Sequence, residues 1–163
     1  MKKPYLNCNT MTEQKNTSRP LFMIIDDNTE DLYLTNYLIE KWSKSSFVDQ
    51  FDSAFKALEF LKNNTKMIEL IPDIILLDLN MPTMNGFQFM EEFAKFDAPI
   101  RSKSSIYMLS SSTDLEEVSK AVNHSSIKMF IEKPLNKEKF NVILQNYYEL
   151  NNSEKVMVKS MNQ

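Results

Sequence analysis

The amino-acid sequence predicts an α/β domain, built as a doubly wound parallel sheet with helices on both faces. Short apolar runs alternate with amphipathic segments between residues 21 and 150. The run at 74–77 is apolar without a break, which is typical of a strand buried on both faces. Polar residues directly follow four of these runs, where open α/β sheets place their functional side chains.

The first half of the domain contains two strand–helix units. A strand at 21–26 precedes a helix at 29–42, whose predicted inward stripe is Leu34, Leu38 and Trp42. A strand at 47–52 has a mixed pattern and is followed by a helix at 53–63. The residues predicted to face inward on that helix are Ala54, Ala57, Leu58 and Leu61.

Three more units follow. Strands are predicted at 74–78, 106–110 and 129–131, and helices at 87–96, 114–123 and 137–150. Thr113 and Glu116 have the spacing of a capping box, and Asn136 is the predicted N-cap of the last helix. The predicted inward residues are Phe89, Met90 and Phe93 on the third helix, and Phe140, Ile143, Leu144, Tyr147 and Tyr148 on the last.

These elements define one domain at 21–150, preceded by a polar extension at 1–20 that we expect to be disordered. A polar tail at 151–163 follows. Right-handed crossovers predict the flavodoxin-like strand order 2-1-3-4-5. In this order a ligand crevice lies between strands 1 and 3, where the direction of winding reverses.

Composition excludes several classes of protein. The single cysteine, Cys8, cannot form an internal disulfide, and no apolar stretch has the length of a membrane span or a signal peptide. The net charge is −3; residues 1–20 contribute +3 and residues 151–163 contribute +1, so the domain itself carries −7. Such an acidic domain is not expected to bind nucleic acid. We therefore predict a cytoplasmic protein without a membrane or nucleic-acid partner.

Three carboxylates follow the first and third strands. Asp26 and Asp27 end the first strand, and Asp78 ends the third, so the predicted topology brings all three to one sheet edge. Clustered carboxylates repel one another unless a pKa rises or a cation binds. Mg²⁺ prefers such oxygen ligands and keeps water positions for a phosphate.

Two other strand ends complete a set of groups suited to phosphoryl transfer. Ser110 follows the fourth strand and Lys133 follows the fifth. A carboxylate can attack phosphorus to form an acyl phosphate, while an ammonium, a hydroxyl and a metal stabilise the phosphoryl oxygens. The sequence therefore predicts phosphoryl transfer to Asp78.

The chain resembles the response-regulator receiver domains of two-component signalling over about residues 21 to 150. The order and spacing of six features carry this resemblance. They are Asp26-Asp27, Asp78 in Asp-Leu-Asn-Met-Pro, Gly86, Ser110, Phe130 and Lys133-Pro134.

The resemblance implies a stand-alone, CheY-like phosphoacceptor rather than a conventional enzyme. A sensor histidine kinase or phosphotransfer protein would phosphorylate Asp78. Mg²⁺ would be held by Asp27, Asp78 and the Asn80 carbonyl, and by Asp26 through water.

The resemblance also implies a switch. Ser110 and Lys133 would contact the phosphoryl oxygens, and Phe130 would follow Ser110 inward. The surface of the fourth helix, fifth strand and fifth helix would then change. The signal would pass to a downstream protein or to a second copy of the chain.

The sequence leaves two alternatives open. A haloacid-dehalogenase-like phosphatase also uses a strand-end Asp, Mg²⁺ and Lys, but its Asp-x-Asp motif has Asn80 here in place of the second acid. A binding module that never needs phosphate is the other.

Gly86, the only glycine, is predicted to provide unusual backbone dihedrals in the loop after Pro82.

Overall fold

A computed structural model describes residues 19–43, 47–112 and 114–161. It contains one five-stranded parallel sheet in the order β2-β1-β3-β4-β5, which confirms the predicted fold. The strands are β1 (Phe22–Ile25), β2 (Val48–Phe51), β3 (Ile74–Asp78), β4 (Ser105–Ser110) and β5 (Ile127–Glu132). The helices are α1 (Thr29–Ser43), α2 (Ala54–Asn63), α3 (Gly86–Phe93), α4 (Ala98–Lys103), α5 (Leu115–Val122) and α6 (Lys137–Met161), with a short 3₁₀ turn at Ile68–Leu70.

Helices cover both faces of the sheet and create two apolar layers. One layer joins β1, β3 and β4 to α2, α3 and α5, and the other joins the same strands to α1 and α6. Every residue of β1 and β3 is buried, because side chains on both faces of these central strands pack against helices. The inward faces predicted for α2 and α3 are confirmed.

The inward face predicted for α1 is wrong in part. Leu34 is 42% exposed, whereas Leu32, Thr35 and Ile39 are buried. Helix α1 has large apolar residues on several sides, including the exposed Tyr33 and Tyr37. Local periodicity therefore allows more than one stripe, and docking against the sheet selects among them.

Several boundaries differ from the predictions. Helix α4 was not predicted; it carries Pro99 in its first turn, a position that tolerates proline. Helix α6 continues from the predicted end at 150 to Met161, because residues 151–161 contain no proline or glycine to stop it.

The remaining differences concern termini and caps. Thr113 lies outside the described residues, as does the N-terminal extension apart from Arg19 and Pro20. The N-cap of α5 is Asp114, whose carboxylate accepts a hydrogen bond from the Glu116 amide at 2.8 Å. No helix in the described ranges is both long and apolar enough to cross a bilayer.

Candidate functional site

The reversal of strand order between β1 and β3 brings the three predicted carboxylates together. Ile25 pairs with Leu77, so the residues that follow them leave the sheet side by side. Asp26, Asp27 and Asp78 each offer a carboxylate oxygen, and these oxygens lie within 4.8 Å of one another. Three hard oxygen donors at this spacing fit the ligand preference of Mg²⁺.

Backbone amides orient the two buried carboxylates. Asp26 and Asp78 are only 1% and 5% exposed, whereas Asp27 is exposed. The Asn28 amide donates to Asp26 Oδ1 at 3.0 Å, and the Asn80 amide donates to Asp78 Oδ2 at 2.8 Å. Each bond spans two residues, so each carboxylate is held by the turn that follows its own strand.

Lys133 binds both buried carboxylates. Its Nζ lies 2.7 Å from Asp26 Oδ2 and 2.7 Å from Asp78 Oδ1. A third carboxylate, that of Asp31 in the first turn of α1, lies 3.0 Å away. Sequence reasoning missed Asp31, since an acid in a first helical turn is ordinarily read as a favourable interaction with the helix dipole. The Lys133–Pro134 peptide bond is cis.

The electrostatics of this cluster are unbalanced. Three carboxylates contact the Lys133 ammonium, and a fourth, that of Asp27, lies in the same acidic group as Asp26 and Asp78. Four negative charges therefore stand against one positive charge. Burial raises the pKa of Asp26, although hydrogen bonds from Lys133 and the Asn28 amide oppose the rise. Burial would lower the pKa of Lys133, but its bonds to Asp26, Asp78 and Asp31 outweigh burial and raise it. The cluster can therefore accept a divalent cation with favourable electrostatics.

Ser110 and Phe130 lie on the adjacent strands β4 and β5. Ser110 is fully buried, and its Oγ accepts a hydrogen bond from the Ser112 amide at 3.0 Å. Its carbonyl accepts one from the Lys133 amide at 2.8 Å, which ties the ends of β4 and β5 together. Phe130 is partly buried and packs against the layer formed with α2, α3 and α5. The structure thus places the predicted switch residues on elements that share backbone bonds.

Asn80 extends outward from the end of β3. It is exposed, and its side-chain amide donates to Glu117 of α5 at 3.5 Å. Its side chain is therefore directed to α5, and only its backbone carbonyl remains as the predicted metal ligand.

Gly86 has a different role from the one predicted. Its φ is not positive, so unusual backbone dihedrals are not the reason that glycine occupies this position. It is the first residue of α3, and a Cβ at this position would lie 2.9 Å from the Asp78 carbonyl oxygen and 3.1 Å from Leu79 Cα. Glycine is needed because the backbone of α3 approaches the end of β3 closely.

The comparisons with known proteins agree with this geometry. The family model described as the response regulator receiver domain matches residues 22–145. A two-component response regulator from Cytophaga hutchinsonii has a similar structure, with a TM-score of 0.72 and 25% identity over 78% of this chain and 96% of that one. A response regulator receiver protein from Dyadobacter fermentans gives a TM-score of 0.69 and 30% identity over the same shares.

Curated relatives match a smaller part of the chain. A protein-glutamate methylesterase/protein-glutamine glutaminase from Treponema pallidum is 34% identical over 94 residues, and the sensor histidine kinase CheAY from Helicobacter pylori is 33% identical over 95. Each match covers 56% of this chain but only 22% and 11% of those longer proteins.

This protein belongs to the response regulator receiver domain family. It is a CheY-like receiver of two-component signalling, and the family accounts for the fold, the strand order and the acidic pocket together. Family membership leaves no support for the phosphatase alternative.

Proposed function

We propose that this protein accepts a phosphoryl group on Asp78 from a phosphohistidine of a sensor kinase or phosphotransfer protein. The observation that carries the proposal is the position of Lys133 Nζ, 2.7 Å from both Asp78 and Asp26, at the edge where three acids converge. An ammonium bound at the nucleophile is suited to stabilise incoming phosphoryl oxygens.

Transfer requires one bond to form and one to break. An Asp78 carboxylate oxygen attacks phosphorus, the bond from phosphorus to the donor imidazole breaks, and an acyl phosphate forms. The Asn80 amide on Asp78 Oδ2 fixes the orientation of the nucleophile. Asp27, Asp78 and the Asn80 carbonyl would hold Mg²⁺, with Asp26 acting through water, and the metal would neutralise phosphoryl oxygens when bound.

Ser110 supplies a donor for the same phosphoryl group. Its Oγ accepts from the Ser112 amide, which leaves its own hydroxyl hydrogen available for donation. Because Lys133 and Ser110 are joined through their backbones, a movement of either residue reaches β5 and Phe130. The surface of α5, β5 and α6, which includes the exposed Leu115 and Val122, would then change and bind a downstream protein or a second copy.

Intact-mass analysis after incubation with acetyl phosphate tests the acceptor. The wild-type protein should gain one phosphoryl group with Mg²⁺ and none in EDTA. Asp78→Asn should gain none, while the matched control Asp97→Asn should label normally, because Asp97 is exposed and its side chain makes no cap bond. Equal labelling of Asp78→Asn would reject the assignment.

The phosphate-independent alternative needs a second measurement. A pull-down against candidate partners, with and without beryllofluoride as an acyl-phosphate mimic, should show binding that depends on the mimic. Binding that is identical in both conditions and in Asp78→Asn would favour a module that does not need phosphate.

A further inference from the structure

Asp31 is a carboxylate near the phosphoryl site that belongs to neither the metal pocket nor the nucleophile. It lies in the first turn of α1, 3.0 Å from Lys133 Nζ. Its side chain is 38% exposed, against 2% and 7% for the other two carboxylates on that ammonium. It is also outside the group of three acids whose oxygens lie within 4.8 Å of one another.

The hydrogen-bonding capacity of Lys133 is fully used in this state. An ammonium has three N–H donors, and Asp26, Asp31 and Asp78 provide three acceptors within 3.0 Å. A phosphoryl oxygen on Asp78 therefore needs a cation that already has three anionic partners. Asp26 and Asp78 are fixed at the sheet edge by backbone amides, whereas Asp31 can turn into water.

We propose that Asp31 competes with the phosphoryl group for Lys133 and so favours the unphosphorylated state. This inference rests on the proposed function, because it assigns a regulator to the same site. Asp31 is a positioning residue that acts through Lys133. Its negative charge also repels an incoming phosphoryl anion at short range.

The expected effect is modest because the carboxylate is partly exposed. Ion pairs with one solvent-accessible partner contribute little, so loss of the Asp31 charge should tighten the binding of a phosphoryl mimic by about two- to fivefold. The gain should shrink as salt rises from about 0.05 to 0.5 M, because ions screen this pair. A purely structural defect would not depend on salt in this way.

The test measures beryllofluoride affinity by fluorine NMR at saturating Mg²⁺, so that altered metal affinity does not contribute. Asp31→Asn should bind more tightly than the wild type, and Asp31→Glu should restore wild-type affinity. The matched control is Glu30→Gln, which removes the same charge from the same helical turn. Glu30 is exposed and is not one of the three carboxylate partners of Lys133.

The outcomes separate this inference from the proposal beneath it. If the wild type binds no beryllofluoride, the proposed function fails. If the wild type binds and Asp31→Asn binds equally or less tightly, only the competition by Asp31 is overturned. An equal gain in beryllofluoride affinity in Glu30→Gln would also overturn it, since the gain would then come from the change in net charge and not from the contact between Asp31 and Lys133.

Discussion

Replacing Lys133 by alanine tests the electrostatic balance of the site. The substitution removes the cation that binds Asp26 and Asp78, whose side chains are 2% and 7% exposed. Removing one partner of a buried pair generally costs about 3–5 kcal/mol. We expect the free energy of unfolding to fall by about 3 kcal/mol at pH 7 in EDTA. This value is near the lower bound because Asp27 is exposed to water and the Lys133 side chain is 13% exposed.

The loss should depend on pH with a definite sign. Burial raises the pKa of Asp26, and in the variant the opposing bonds from Lys133 are absent, so the folded-state pKa rises further. The folded variant then binds protons more tightly than the unfolded chain. Below pH 3.8, the ordinary pKa of Asp, the free energy of unfolding of Lys133→Ala should be close to that of the wild type. It should then fall below the wild-type value as the pH rises through the raised pKa of Asp26 in the folded variant.

Urea unfolding followed by circular dichroism at pH 4 to 8 measures this difference. The control is Lys103→Ala, which breaks one ion pair of 3.0 Å with Asp73 and should lose about 1 kcal/mol. Mg²⁺ at 100 times the dissociation constant of each variant should stabilise Lys133→Ala by about 2.7 kcal/mol, and the control by the same amount, because the control keeps the acidic pocket. Wild-type stability of Lys133→Ala at pH 7 in EDTA would refute the reasoning.

Three further predictions concern packing, metal binding and signal transmission. Gly86→Ala should destabilise the fold by about 1–3 kcal/mol in urea unfolding, because its Cβ meets backbone 2.9 Å away; an unchanged midpoint would contradict the close approach. Asp27→Ala should weaken Mg²⁺ binding in calorimetry more than Asp26→Ala does, since direct ligation outweighs a water-mediated contact. Equal, unchanged affinities would reject the acidic pocket. Beryllofluoride should alter amide exchange at 110–145 in the wild type and much less in Lys133→Ala; identical responses would exclude Lys133 as the link to Phe130.

The sequence alone determined the sheet and most of the site, because both depend on local patterns. An unbroken apolar run marks a buried strand wherever it occurs, and the polar residue that ends it must lie at the sheet edge. Asp26, Asp78, Ser110 and Lys133 could therefore be located before their neighbours were known. Their convergence followed from the handedness of the crossovers, which is nearly invariant.

Only the tertiary structure decided the features that depend on how helices dock. Leu34 and Leu32 are both plausible core residues of α1, and contact with the sheet buries only Leu32. Glycine is required at position 86 because the backbone of α3 lies close to the end of β3, and no local sequence pattern predicts that distance. The pair between Asp31 and Lys133 joins residues 102 positions apart, and it exists because the start of α1 and the end of β5 meet at one edge. The geometry of such an ion pair is set by the packing of the two elements, whereas a local sequence pattern depends only on residues that are neighbours along the chain.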